Sequence, residues 1–278
     1  MASQAAADAV AAASAAAAGS GGGAADAVSS ASQAVHTGFA LVVDRIDWVI
    51  MVPLVYASIL FLLAGIVWRI VAIARAPMPS YSPRIFPARR SPGLAALGDS
   101  FAMPQVRRHA PLFWVFLMIF HAGILALFLG HLDIFSGIAI MPRGSRHMIG
   151  AGAVGLAVTV PMLYFIVRRF RTPVREISVP ADYLLLLLVL FLFLMGDLMS
   201  WGNSWSPHGF VMTKQDFGRY FDGIARFTFA DPRAVLHGSH YHFVVAHVLL
   251  AEAFFVVLPF SKIMHTFFAV PINLIRRR

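Results

Sequence analysis

His121 and His131 bracket the stretch FHAGILALFLGH (120–131), in which every other residue is Phe, Leu, Ile, Ala or Gly. A second pair, His247 and His265, stands in AHVLLAEAFFVVLPFSKIMHTFF (246–268). Ionisable side chains are costly in runs this apolar and usually have a function there. A neutral imidazole is also the commonest metal ligand among side chains. A lone intramembrane histidine more often bonds between helices, but two pairs on two segments ask for a shared purpose. Ten residues of helix rise about 15 Å and end about 80° short of three turns, whereas 18 residues rise about 27 Å and complete whole turns. Each pair can therefore face one interior.

The elements that must hold these residues are membrane spans. The chain has 278 residues, of which 59% are hydrophobic and 13% charged, and a mean hydropathy of +0.75, well outside the range of a soluble domain. The formal charge of +9 falls between apolar segments rather than along one face, which argues against nucleic acid and for topology signals. Cysteine is absent, which excludes disulfides, iron–sulfur clusters and thioether-attached haem within this chain. A redox centre here must hang on His or Met.

Apolar stretches at about 46–74, 111–135, 148–167, 183–200 and 242–268 each approach the length needed to cross a bilayer core of about 30 Å. The expected fold is an all-α membrane protein, a five-transmembrane-helix bundle. Residues 1–44, rich in Ala, Gly and Ser, are expected to form a flexible N-terminal tail, and 45–278 the transmembrane domain. Arginines gather in the linker 75–110, in 168–182 and at Arg276, Arg277 and Arg278. The positive-inside rule makes these segments cytoplasmic and the N-terminus external. The Pro-rich linker 75–110 reads as a surface segment without a core of its own, facing a cytoplasmic partner.

With that topology His121 and His265 lie at the inner depth and His131 and His247 at the outer. Antiparallel pairing by depth gives two sets of axial nitrogens on facing helices, the way a bundle holds b haems without covalent attachment. The 15 Å and 27 Å separations do not match, so tilt and a kink at Pro259 must absorb the difference. Gly123 and Gly130 beside the second-span pair either admit a flat macrocycle to the backbone or serve helix packing.

FHAGILALFLGH and AHVLLAEAFFVVLPFSKIMHTFFAVP together resemble the gamma subunit of respiratory nitrate reductase and its relatives, including membrane cytochromes linked to dissimilatory sulfite reductase. The resemblance spans roughly 45–278. It implies two haem b groups with His121, His131, His247 and His265 as their iron ligands. It also implies a multi-pass protein of the bacterial inner membrane that oxidises quinol or menaquinol at the outer face and passes electrons to a cytoplasmic subunit carrying iron–sulfur clusters or molybdenum. The long linker 75–110 and the loop 201–241 depart from the compact family pattern. The family's basic residue near its quinol site matches Arg146.

By chemistry alone, Arg146 and His147 suit either a quinol head group or a lipid phosphate. The tract HGSHYH (237–242) could bind metal by composition, but reads as an interfacial surface segment because no carboxylate or Cys completes a site. Asp197 and Glu252, within spans, are read as structural hydrogen-bonding groups rather than a proton path. Two rival functions stand beside the cytochrome: a histidine-lined transporter, against which the lack of internal repeats argues, and a haem-free membrane anchor for a soluble enzyme.

Overall fold

The computed structural model describes residues 37–77, 91–135, 137–138, 140–141, 152–205, 214–236 and 240–276. All regular structure among them is helical. Four helices are long and apolar enough to cross a membrane: Thr37–Ala74, Pro111–Ile134, Pro180–Trp201 and Tyr241–Phe260. The stretch expected as a third span, 148–167, is described from residue 152 and is helical over Ala153–Arg169. Most of the expected tail, residues 1–36, lies outside the described residues, and the chain is helical from Thr37. Among the described residues, those up to Ile50 form one compact unit and those from Met51 onward a second, which carries everything that follows.

In the second unit we label α1 (Val55–Ala74), α2 (Pro92–Phe101), α3 (Pro104–His109), α4 (Pro111–Ile134), α5 (Ala153–Arg169), α6 (Pro180–Trp205), α7 (Lys214–Ala225), α8 (Tyr241–Val257) and α9 (His265–Ile275). Proline at the start of α2, α3, α4 and α6 supplies the fixed φ that a first helical turn wants and loses no needed donor. Along α4 and α6 the sequence is apolar on every side, as a span requires. Leu125, Phe128, Leu184 and Phe191 stay exposed on this chain, so these faces meet lipid or other apolar surface rather than the core.

The core lies among α4, α5, α6 and α8. Buried Met162, Val189 and Leu190 gather Phe120, Ile166, Phe193 and Phe254 around them. Small residues set the helix spacings. A Cβ on Gly123 would sit 2.6 Å from Val158 Cγ1, so Gly123 serves the packing of α4 on α5. A Cβ on Gly155 would collide with the Asp197 carboxylate, which takes a hydrogen bond of 2.7 Å from the Thr159 hydroxyl. Asp197 thus ties α6 to α5, the structural role expected of it.

The fifth apolar stretch is not one helix. After Val257 it passes through two 3-10 turns, Leu258–Phe260 and Lys262–Met264, joined at Ser261 in extended conformation. Pro259 lacks the donor that would continue α8, and its carbonyl accepts from Arg69 Nε of α1 at 3.0 Å. Its ring fills the space over Gly65, where a Cβ would stand 2.5 Å from Pro259 Cγ. The Ser261 hydroxyl then accepts from the amide of Ile263 and caps the second turn.

Besides the short α3, two helices arise where the sequence suggested loop. α2 packs on α9, with Asn273 Nδ2 donating to Ser100 Oγ at 3.0 Å and Ala96 fully buried, so the linker contributes to a core after all. α7 is amphipathic and lies against the Ile134 end of α4, where Phe135 and Phe221 meet at 5.1 Å between ring centres. Its Tyr220 hydroxyl donates to Met51 O at 2.6 Å. Both helices are too short and too mixed in character to stand out by hydropathy.

If Gly65 is the contact that seats Pro259, Gly65→Ala destabilises the protein by about 1–3 kcal/mol, the usual range for overpacking. Gly98→Ala, with nothing within 4 Å of the new methyl group, leaves stability unchanged or raises it by up to about 1 kcal/mol through helix propensity. Thermal unfolding of the two variants in detergent distinguishes them.

Candidate functional site

The structure brings the four histidines together as two pairs. His121 of α4 and the first residue of α9, His265, stand with ring centres 6.2 Å apart and planes at 70°. His131 of α4 and His247 of α8 stand 6.3 Å apart with planes at 14°. The break after Val257 makes this possible. It replaces a continuous rise of about 27 Å by a turned-back segment, so His265 reaches the level of His121.

Each imidazole is oriented by one hydrogen bond. Nδ1 of His121 bonds Leu117 O at 2.7 Å, Nδ1 of His131 bonds Leu127 O at 2.8 Å, and Nδ1 of His265 bonds Lys262 O at 2.9 Å. His247 Nδ1 reaches across to Leu192 O of α6 at 3.1 Å. A carbonyl oxygen can only accept, so in all four rings Nδ1 carries the proton and a neutral ring keeps its lone pair on Nε2. Fixing one nitrogen so that the other can ligate is how metal-binding histidines are held. Gly196 admits the His247 ring to the surface of α6, since a Cβ there would lie 3.4 Å from His247 Cε1.

The separations suit a shared metal centre. Two imidazoles bound through Nε2 to one ion have ring centres about 6 Å apart, from about 2 Å per metal–nitrogen bond and about 1 Å more to each ring centre. Among the described residues no group of three or more His, Cys, Asp or Glu could hold a metal ion. A pair of histidines suits a centre that brings its remaining ligands with it, as a porphyrin does. The chemistry of the donor set therefore fits haem at both pairs.

Two buried carboxylates fix the ends of the bundle near the pairs, and the sequence reading missed both. Asp182, at the start of α6, is paired with Lys262 Nζ at 2.8 Å and with Arg169 Nη1 at 3.0 Å. Lys262 is the residue whose carbonyl orients His265. Asp133 lies two residues after His131, accepts from the amides of Ile140 and Met141 at 2.7 and 2.8 Å, and pairs with Lys214 of α7 at 2.6 Å. A signal was available: Lys214 and Lys262 are the chain's lysines among many arginines, and each ends on a buried aspartate.

Arg146 and His147 lie outside the described residues, as do His36, His208 and His237. His109 ends α3, away from the pairs in sequence and element. His240 caps α8, and His242 is exposed in its first turn. Glu252 departs from its expected role: its carboxyl is buried with neither oxygen hydrogen-bonded among the described residues.

Residues 104–278 match the family model described as nitrate reductase gamma subunit. The nitrate reductase gamma chain of Bacillus subtilis (strain 168) is 32% identical over 173 residues, covering 57% of this chain and 73% of the relative. The matched region contains all four paired histidines.

Breaking the Asp133–Lys214 pair releases α7. Asp133→Asn is expected to weaken the docking of α7 by about 1.5–3 kcal/mol, the range for a hydrogen bond to a charged group. In limited trypsin digestion it is cut after Lys214 faster than the parent, while cleavage after Lys262 proceeds at the parent's rate.

Proposed function

Because the chain belongs to the nitrate reductase gamma subunit family, we propose that it is the dihaem cytochrome b subunit of a membrane-bound, quinol-oxidising nitrate reductase. The observation that carries this reading is the double pairing of histidines at 6.2 and 6.3 Å with every Nδ1 engaged by a carbonyl. His131 and His247 would hold one haem b, His121 and His265 the other. Each haem supplies, when bound, a one-electron carrier inside the bilayer, and two at different depths connect its faces.

The chain's own residues do the positioning. The carbonyls of Leu117, Leu127, Leu192 and Lys262 hold the rings in the ligating tautomer. Asp182 anchors Lys262 and so the turn that presents His265. Among the apolar helices α4, α5 and α8, His121 and His247 are half-buried, while His131 and His265 are exposed on this chain.

Five spans cross the membrane in this reading, α5 among them, with the basic linkers on the cytoplasmic side and the His131/His247 pair toward the outer face. Quinol or menaquinol is oxidised at that outer face, where Arg146 in the segment before α5 binds its head group. Its two electrons pass inward and its protons leave outward, so turnover charges the membrane. The cytoplasmic acceptor is a redox subunit carrying iron–sulfur clusters, in line with the relative's name as a chain of nitrate reductase. The protein resides in the bacterial inner membrane.

The pyridine haemochrome assay on purified protein tests the assignment. Two haems b per chain are expected, falling to one in His131→Ala or His247→Ala and to one in His121→Ala or His265→Ala, with distinct spectral components lost in the two sets. Replacing His109 or His242 changes neither. A haem-free but folded protein would sink the reading in favour of an anchor or a transporter.

Quinol chemistry is tested separately by haem reduction with a menaquinol analogue. Arg146→Ala is expected to retain both haems and slow reduction roughly tenfold or more, the effect of losing about 1.4 kcal/mol or more of binding. An unchanged rate would assign Arg146 to lipid.

A further inference from the structure

Glu252 stands out among the buried groups that the proposed mechanism does not use. It lies in the interior of α8 with 4% of its surface exposed, and neither carboxylate oxygen has a hydrogen-bond partner among the described residues. Three other buried acids of the spans are engaged: Asp133 by Lys214, Asp182 by Lys262 and Arg169, Asp197 by Thr159.

Its surroundings follow from the register of α1 and α8. Gly65 meets Pro259, and both helices begin near Tyr220, which bonds Met51 O and interacts electrostatically with Tyr56, Tyr241 and Glu252. The two helices therefore run parallel, and two turns back on each places Ser58 level with Glu252. Ser58 is buried, and its hydroxyl donates to Val55 O at 2.9 Å, so its proton is already used.

Cations are engaged at other levels. Arg69 of α1 bonds Pro259 O, about 10 Å further along the helix axis, and Arg233 stacks over Tyr241, about 16 Å the other way. On α6, Asp197 faces Thr159 of α5 and Asp182 its two cations. From α7, Tyr220 keeps its hydroxyl on Met51 O; burial, and then the charge of the Glu252 carboxyl, push that phenol's pKa upward.

A carboxylate without a counter-charge in low dielectric is strongly sensitive to any charge that changes near it. Glu252 lies five residues beyond His247, about 7.5 Å along the same helix. The charge that varies there is that of a redox centre held by His131 and His247.

We propose that Glu252 is a proton-binding site coupled to that centre, taking up one proton from the face carrying Tyr220 when the centre gains one electron and releasing it when the electron moves on. This rests on the dihaem reading above. The electron comes from quinol and the proton from water. One carboxylate and one proton become one carboxylic acid for each electron gained, so charge in the bundle stays constant.

Spectroelectrochemical titration of the haem-loaded, full-length protein across the neutral pH range tests it. The midpoint potential of one haem is expected to fall as pH rises, because the reduced form carries the extra proton. In Glu252→Gln that slope disappears, and the potential stays near the parent's low-pH value, since Gln mimics the neutral acid. Glu252→Leu, which removes the polar group altogether, abolishes the slope likewise and guards against a packing effect particular to Gln. A slope retained in either folded variant, or absent in the parent, overturns the proposal while leaving the dihaem reading intact. A parent that binds no haem overturns both. Should neither variant fold, redox-difference infrared spectroscopy of the parent decides: a carboxylic-acid carbonyl band gained on reduction supports the proposal, and its absence overturns it.

Discussion

The distance between His121 and His131 along an uninterrupted α4 is the constraint to which the rest of the bundle conforms. Ten residues of straight helix cannot shrink or stretch from about 15 Å. Any element that presents partners to both histidines must do so at that spacing. An unbroken helix from His247 to His265 would overshoot by about 12 Å, roughly two turns' rise. The chain meets the constraint by ending α8 at Val257, turning through Pro259 and Ser261, and restarting at His265.

A break at bilayer depth exposes backbone groups that cannot turn to water, so it must be satisfied by neighbours. Arg69 supplies a donor to Pro259 O, the Ser261 side chain accepts from Ile263, and Lys262 O receives His265 Nδ1. The repair and the site share an atom in that last bond. Lys262 in turn is held by Asp182, which also holds Arg169. The position of one imidazole thus depends on residues of α1, α5 and α6 as well as on its own segment. Asp133 and Lys214 organise the other end of α4 in the same manner, tying the turn at Ile140 and Met141 and the surface helix α7 to the residue just beyond His131.

Such a frame suits electron transfer, which rewards rigid ligands. Rings locked by backbone carbonyls lose little freedom when they bind a metal centre. Glu252 is the exception in this frame, a buried acid with no hydrogen bond among the described residues, and its position five residues from His247 is what makes it a candidate for coupling charge to protons rather than for structure.

Much of this was legible in the sequence. Apolar length located four helices long enough to span a membrane, and the histidines declared themselves because each ionisable group in an apolar run stands out locally. Their order along the chain was enough to pair His121 with His265 and His131 with His247, since antiparallel neighbours match first with last. Tertiary structure alone decided how the mismatch of spacings is absorbed, that Leu192 O holds His247, that Gly123 serves Val158, that Glu252 has no hydrogen bond among the described residues, and that two lysines end on buried aspartates. These depend on which faces of distant helices meet. A sequence records the period and polarity of each helix separately, whereas rotation about its axis and depth against its neighbours come only from packing them all at once.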